Sequence, residues 1–190
     1  MSGVSLEVEL ERHRAALGAC RACGDRVRGA IPIVSLAVRP KVMLVGQAPG
    51  QVERTDQRPF AGRAGKTLFR WLSEAGISED DARRHIYIAA VTRCYPGPSA
   101  SGRGDRVPSL GERRNCRGWL DAELALLRPR VVIPVGRLAI DLFLEPAPLE
   151  RLIGQEHVVA LAGGSTIVIP LPHPSGASSW IHGPGHELGR

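Results

Sequence analysis

Four strand-sized apolar runs, separated by helix-patterned stretches, limit this chain to few architectures. The runs are KVMLVG (41–46), IYIAAVT (86–92), RVVIPV (130–135) and TIVIPL (166–171). They are apolar throughout rather than alternating, as expected of strands buried on both faces. Helical patterns fall between them. Residues 5–17 place Leu6, Leu10 and Leu17 on one side; KTLFRWLSEA (66–75) ends at Gly76; residues 110–127 end at Arg128-Pro129; GRLAIDLFL (136–144) follows the third run. HVVAL (157–161) is a further strand before the turn AGGS, and IPIVSLAV (31–38) reads as a short edge element. Residues 47–65 and 95–109 read as loops, being rich in Gly, Pro and charge. Strands alternating with helices predict an α/β domain with a mostly parallel sheet covered on both faces. No repeat or linker divides the 190 residues, which predicts one domain over 1–190. No apolar run approaches the roughly 18 residues that span a membrane. In such a sheet, ligands bind in the crevice at the carboxyl ends of the strands. Three segments fall there: Gly46-Gln47-Ala48-Pro49-Gly50, Val91 to Cys94, and Leu171-Pro172-His173-Pro174-Ser175-Gly176.

The chain has four cysteines. Cys20 and Cys23 form a C-x-x-C pair, while Cys94 and Cys116 stand alone much further on. Four thiolates suit an iron–sulfur cluster or a tetrahedral zinc. Buried unrelated thiols and two disulfides are the alternatives. The charged N-terminus MSGVSLEVELERHRAAL reads as an amphipathic helix rather than a secretory signal. That predicts a reducing, cytoplasmic setting, where disulfides are rare and metal is favoured.

The net charge is +6, and arginine supplies nearly all the positive charge, since the only lysines are Lys41 and Lys66. Guanidinium forks match phosphates bidentately, so a polyanionic partner fits; a solvated arginine-rich surface accounts for the same composition.

GQAPGQVE, RPFAGRAG, a cysteine just after a buried strand, and HPSG occur in that order. Together they resemble the uracil-DNA glycosylase superfamily, most closely the family 4 iron–sulfur enzymes. Those carry a GEAPG-type motif, a GRPFVGRAG-type segment, an NVVKC-type strand end, an HP-type last motif and four cysteines around a four-iron four-sulfur cluster. The resemblance implies a three-layer αβα fold with a central, mostly parallel four-stranded sheet. It implies a monomer that excises uracil or another deaminated base from DNA, with no membrane partner. A glycosylase must first flip its nucleotide out of the stack. Phe60 then matches the aromatic on which the flipped base stacks, and Gly46 and Ala48 bring backbone up to it. His173 matches the histidine that stabilises the departing base anion. Arg63 lies at a predicted helix N-terminus suited to a phosphate; Ser175 is a second phosphate contact, and Trp180 or Ile181 is an apolar wedge for the vacated stack. Cys20, Cys23, Cys94 and Cys116 become the cluster ligands, 4Fe-4S in preference to zinc. The cluster would fix the N-terminal helix and a basic stretch carrying Arg103, Arg106, Arg113, Arg114 and Arg117.

Three positions bear on the chemistry. Gln47 stands where family 4 has a glutamate, while Ala48, as in family 4 itself, stands where the best-known uracil glycosylases have a water-activating aspartate. Ala90 falls where family 4 has the asparagine that reads the uracil edge. Alanine cannot make that contact, so hypoxanthine and xanthine stand beside uracil as substrates. Glu53 is then the remaining carboxylate for the water. The alternative function is a catalytically weak or inactive protein of the same fold that binds lesions or abasic sites.

Overall fold

The computed structural model describes residues 5–24, 31–38, 40–102 and 104–175. Its elements run α1 (Leu6–Gly18), β1 (Val42–Gly46), α2 (Gln51–Asp56), α3 (Arg63–Glu74), α4 (Glu79–His85), β2 (Ile86–Ala90), α5 (Leu110–Leu127), β3 (Val131–Pro134), α6 (Arg137–Ile140), α7 (Leu149–Leu152), β4 (His157–Leu161) and β5 (Gly164–Val168). The sheet order is β2-β1-β3-β5-β4. β2, β1, β3 and β5 are parallel.

Successive residues of β1 point to opposite faces, and this separates the layers. Met43 and Val45 pack with Leu10 of α1, Leu120, Leu124 and Leu127 of α5, and Ala139 of α6. Leu44 packs on the other face with Leu68, Phe69 and Leu72 of α3 and Ala82 of α4. The result is a three-layer α/β fold. It has five strands rather than four. The extra one is β4, an antiparallel edge joined to β5 by a tight turn at Ala162 (φ 47°) and Gly163 (φ 79°). A turn with two left-handed residues matches the twist of a two-residue hairpin.

The segment 31–38 joins no strand. It instead caps the outer edge of β2: Ile33 N–H donates to Arg93 O (2.8 Å), Ile88 N–H to Ser35 Oγ (3.0 Å) and Val38 N–H to Arg84 O (2.9 Å). An edge strand's unpaired groups are thereby satisfied without a ladder. Three short helices, α2, α4 and α7, occupy ground read as loop or left unread. α2 forms where Glu53 caps its own start, and α4 where Ser78 Oγ accepts from Asp81 N–H (3.1 Å). α3 begins at Arg63, three residues before the expected start at Lys66, because Gly62 serves as its N-cap.

Candidate functional site

The carboxyl ends of β1, β2 and β3 lie side by side. Gly46 pairs with Ala90 across β1 and β2, and Val45 pairs with Pro134 across β1 and β3. Beyond β2 the chain stays on the first loop: Val91 N–H donates to Gly46 O (2.9 Å) and Thr92 N–H to Gln47 O (3.2 Å). Gln47, Ala48 and Ala90 are half-buried at this edge. The ring of Phe60 lies over Gly46, where an added Cβ would stand 3.0 Å from its Cζ. Phe60 is held at φ 50°, a left-handed conformation uncommon for a bulky residue. Arg83 fixes that turn by donating to Pro59 O (2.8 Å) and Phe60 O (3.2 Å), and its guanidinium lies over Phe69. Sequence reasoning missed Arg83, whose contacts arise only when α4 packs beside α3.

Glu53 is buried and holds the two halves of the loop together. Its Oε2 accepts from Gly50 N–H and its Oε1 from Gly62 N–H, each at 3.0 Å. Each oxygen thus accepts one backbone donor. A second carboxylate, which sequence reasoning did not single out, reaches the same corner. The chain after Cys94 turns back on itself, with Arg106 N–H donating to Gly97 O (3.0 Å) and Ser99 N–H to Gly104 O (2.9 Å). This carries Asp105 against Gly50. The point a Gly50 Cβ would occupy lies 2.8 Å from Glu53 Oε2 and 2.9 Å from Asp105 Oδ2. Tyr95 lies near Asp105: burial, then the Asp105 charge, pushes its phenol above the ordinary value.

His173 enters from the segment after β5. Val135 bridges Leu171, and Gly136 N–H donates to Leu171 O (2.9 Å), which delivers His173 beside Gly136. Gly136 has φ 82°, and a Cβ there would meet His173 Cδ2 at 3.0 Å, so a side chain at 136 would displace the imidazole. Ser175 N–H donates to His173 Nδ1 (3.2 Å), and Ser175 Oγ lies 2.8 Å from the same nitrogen. A backbone N–H can only donate, so Nδ1 is the acceptor and the ring proton resides on Nε2. Burial lowers the His173 pKa, which favours this neutral ring. The segment therefore presents an Nε2–H donor of fixed tautomer.

Cys20, Cys23, Cys94 and Cys116 line one cavity with Leu17, Pro32, Arg93 and Trp119. All four are free, so no disulfide forms among them. Burial, then the neighbouring cysteines, push the Cys94 thiol up to about 12; burial likewise raises Cys116. Among the described residues, no three His, Cys, Asp or Glu side chains gather closely enough to hold a single ion. Asn115 Nδ2 donates to Ala22 O (3.3 Å) and approaches Cys23 Sγ (3.8 Å). Soft donors lining one pocket suit a metal or an iron–sulfur group.

The expected phosphate contacts are dispersed. Arg63 is exposed at the first position of α3, and Arg114 is exposed on α5. Arg106 instead forks onto both oxygens of Glu112. Glu112 in turn caps α5 through Ser109 N–H (2.7 Å). Arg103, Trp180 and Ile181 lie outside the described residues.

The model of the Uracil DNA glycosylase superfamily matches residues 34–185. The type-4 uracil-DNA glycosylase of Thermotoga maritima is 31% identical over 135 residues, covering 71% of this chain and 65% of that protein. The type-4 enzyme of Archaeoglobus fulgidus is 32% identical over 142 residues, covering 72% and 66%. A type-5 uracil-DNA glycosylase of Pyrobaculum aerophilum is 35% identical over 111 residues, covering 52% and 46%. The chain thus spans just under two thirds of the length of the two type-4 relatives.

Proposed function

Because this chain belongs to the uracil DNA glycosylase superfamily, we propose that it excises uracil or another deaminated base from DNA by hydrolysing the N-glycosidic bond. The observation that carries the reading is the fixed tautomer of His173, whose Nε2–H has no partner among the described residues while Nδ1 is held by Ser175. Cleavage leaves the base as an anion. A preset neutral donor stabilises that charge as it develops, without reorganisation at the moment of reaction. Flipping places the base on Phe60, above the close-packed Gly46.

The water nucleophile needs an acceptor to orient it toward the sugar. Gln47 and Ala48 cannot supply a carboxylate, and both Glu53 oxygens already hold backbone N–H groups. Asp105 is exposed to solvent and stands over Gly50, so its carboxylate meets water more readily than that of the buried Glu53. We assign the water to Asp105 and the bracing of the loop to Glu53. Lys41 and Lys66 are both exposed and lie in no matched motif, which favours a monofunctional enzyme that leaves an abasic site.

In this reading the four cysteines hold a 4Fe-4S cluster, which when bound supplies a compact, redox-active cross-link between α1, the end of β2 and α5. Cleavage does not run through it. The DNA partner, the monomeric state and a cytoplasmic location belong to the same proposal; among the described residues, no helix is long and apolar enough to cross a membrane.

Duplex and single-stranded oligonucleotides carrying uracil, hypoxanthine or xanthine test the activity, with abasic sites read by alkaline cleavage. Release of at least one base supports it. Tight binding of lesion DNA without release of any base would replace it with the lesion-binding alternative.

A further inference from the structure

Arg93 is the largest side chain in the wholly buried interior, at 1% exposure. Its Nη2 donates to Glu123 Oε2. Its Nε and Nη1 have no partner among the described residues. Glu123 is fully buried and is itself held from two sides, by Tyr87 Oη of β2 (2.8 Å) and His13 Nε2 of α1 (3.2 Å). Burial opposes ionisation of Glu123, but the Arg93 charge and hydrogen bonds from His13, Tyr87 and Arg93 outweigh it and lower its pKa. The guanidinium is thus anchored at one end by three elements. Two cationic donors remain at its other end, and unpartnered charged donors are strongly disfavoured in a protein interior.

Arg93 lines the same cavity as the four cysteines and directly precedes Cys94 in the chain. A cysteine-ligated cluster is anionic and rich in sulfur acceptors. Net charge and hydrogen bonds to sulfur are what set the potential of such a group. We propose that Arg93 donates its Nε and Nη1 hydrogens to the group held by the four cysteines, and that this Glu123-anchored charge governs the group's reduction potential and retention. The inference rests on the reading of that group as an iron–sulfur cluster.

The test uses the full chain purified anaerobically with its metal. Reduction is titrated with dithionite and mediators and followed by electron paramagnetic resonance, and iron release to a chelator is followed by visible absorbance. Arg93→Met removes the charge and disfavours the reduced form. Its oxidised-to-reduced ratio at fixed potential should rise at least tenfold, a midpoint lower by 59 mV for one electron. Iron release should quicken at least tenfold. Arg93→Met with Glu123→Gln leaves no lone buried charge, so it separates the effect from misfolding and should keep the lowered midpoint. Arg93→Lys keeps the charge and should recover more than half of the shift. Parent-like midpoints and release rates in both Met variants overturn the inference while leaving the cluster standing. Iron and sulfide content is measured separately, and zinc in place of iron overturns the cluster reading and the inference with it.

Discussion

His173 and Asp105 show how unevenly single residues can be read from a sequence. HPSG marks His173 by its motif, but the protonation state follows only from Ser175 N–H meeting Nδ1 at 3.2 Å. That state predicts a pH profile. Burial holds the His173 pKa below its ordinary value of ~6.5. The working neutral ring is therefore fully present at neutral pH and is lost as pH falls through the lowered pKa. The rate of base release should be flat at neutral pH, with an acid limb centred below about 6.5. A limb centred above that value would contradict the tautomer. Asp105 was not legible at all. It sits in a loop of Gly, Ser and Arg, and its role depends on a reversal of the chain that brings it to Gly50, 55 positions away in numbering. Asp105→Asn keeps the size and one acceptor but removes the charge. It should lower kcat by about one to two orders of magnitude with little change in KM, as for a group acting in the transition state. An unchanged kcat would return the water to another residue. Arg93 escaped notice for the same reason, since only packing shows that it pairs with Glu123, 30 positions on.

At the scale of elements, long periodic segments were legible and short ones were not. β1, β2, β3 and α5 stand within a residue or two of expectation, because apolar runs and leucine spacing encode burial directly. α2 and α4 are six and seven residues long and carry little apolar periodicity. Their starts are set by side-chain caps at Glu53 and Ser78 rather than by a core-facing stripe. The edge strand β4 enlarges the sheet from the expected four strands to five, because its hairpin turn pairs it to β5. The start of α5 supplies a prediction at this scale. Hydrogen bonding from Arg106, opposed by burial and reinforced by Ser109, lowers the Glu112 carboxyl to about 2. A depressed carboxyl stabilises the fold above its unfolded value of 4.5, and that contribution is lost as pH falls toward about 2. Glu112→Gln should lower the melting temperature at pH about 6 and flatten its fall on acidification between about 4.5 and 2. A variant that melts like the parent across that range would show the Arg106–Glu112 fork to be inert.

For the molecule as a whole, the sheet places the GQAPG turn, Ala90 and the His173 segment along one edge, and the cysteine cavity begins at Cys94, four residues past Ala90. Shared chain, rather than chemistry, couples the two. The arginine-rich composition suggested a broad phosphate surface, yet ion pairs occupy part of it: Arg106 with Glu112, Arg117 with Asp121, and Arg137 with Asp141. DNA affinity should therefore fall with salt, and Arg114→Ala should reduce the log–log slope by about one, whatever the base sequence. Affinity independent of salt would exclude a phosphate-binding surface. The central claim is that a neutral His173 drives base departure. Single-turnover release of the preferred deaminated base, compared between the parent and His173→Ala, tests it most directly. The account predicts release by the parent and a rate lower by roughly two to three orders of magnitude in the variant, with DNA binding retained. Equal rates in the two proteins would contradict it.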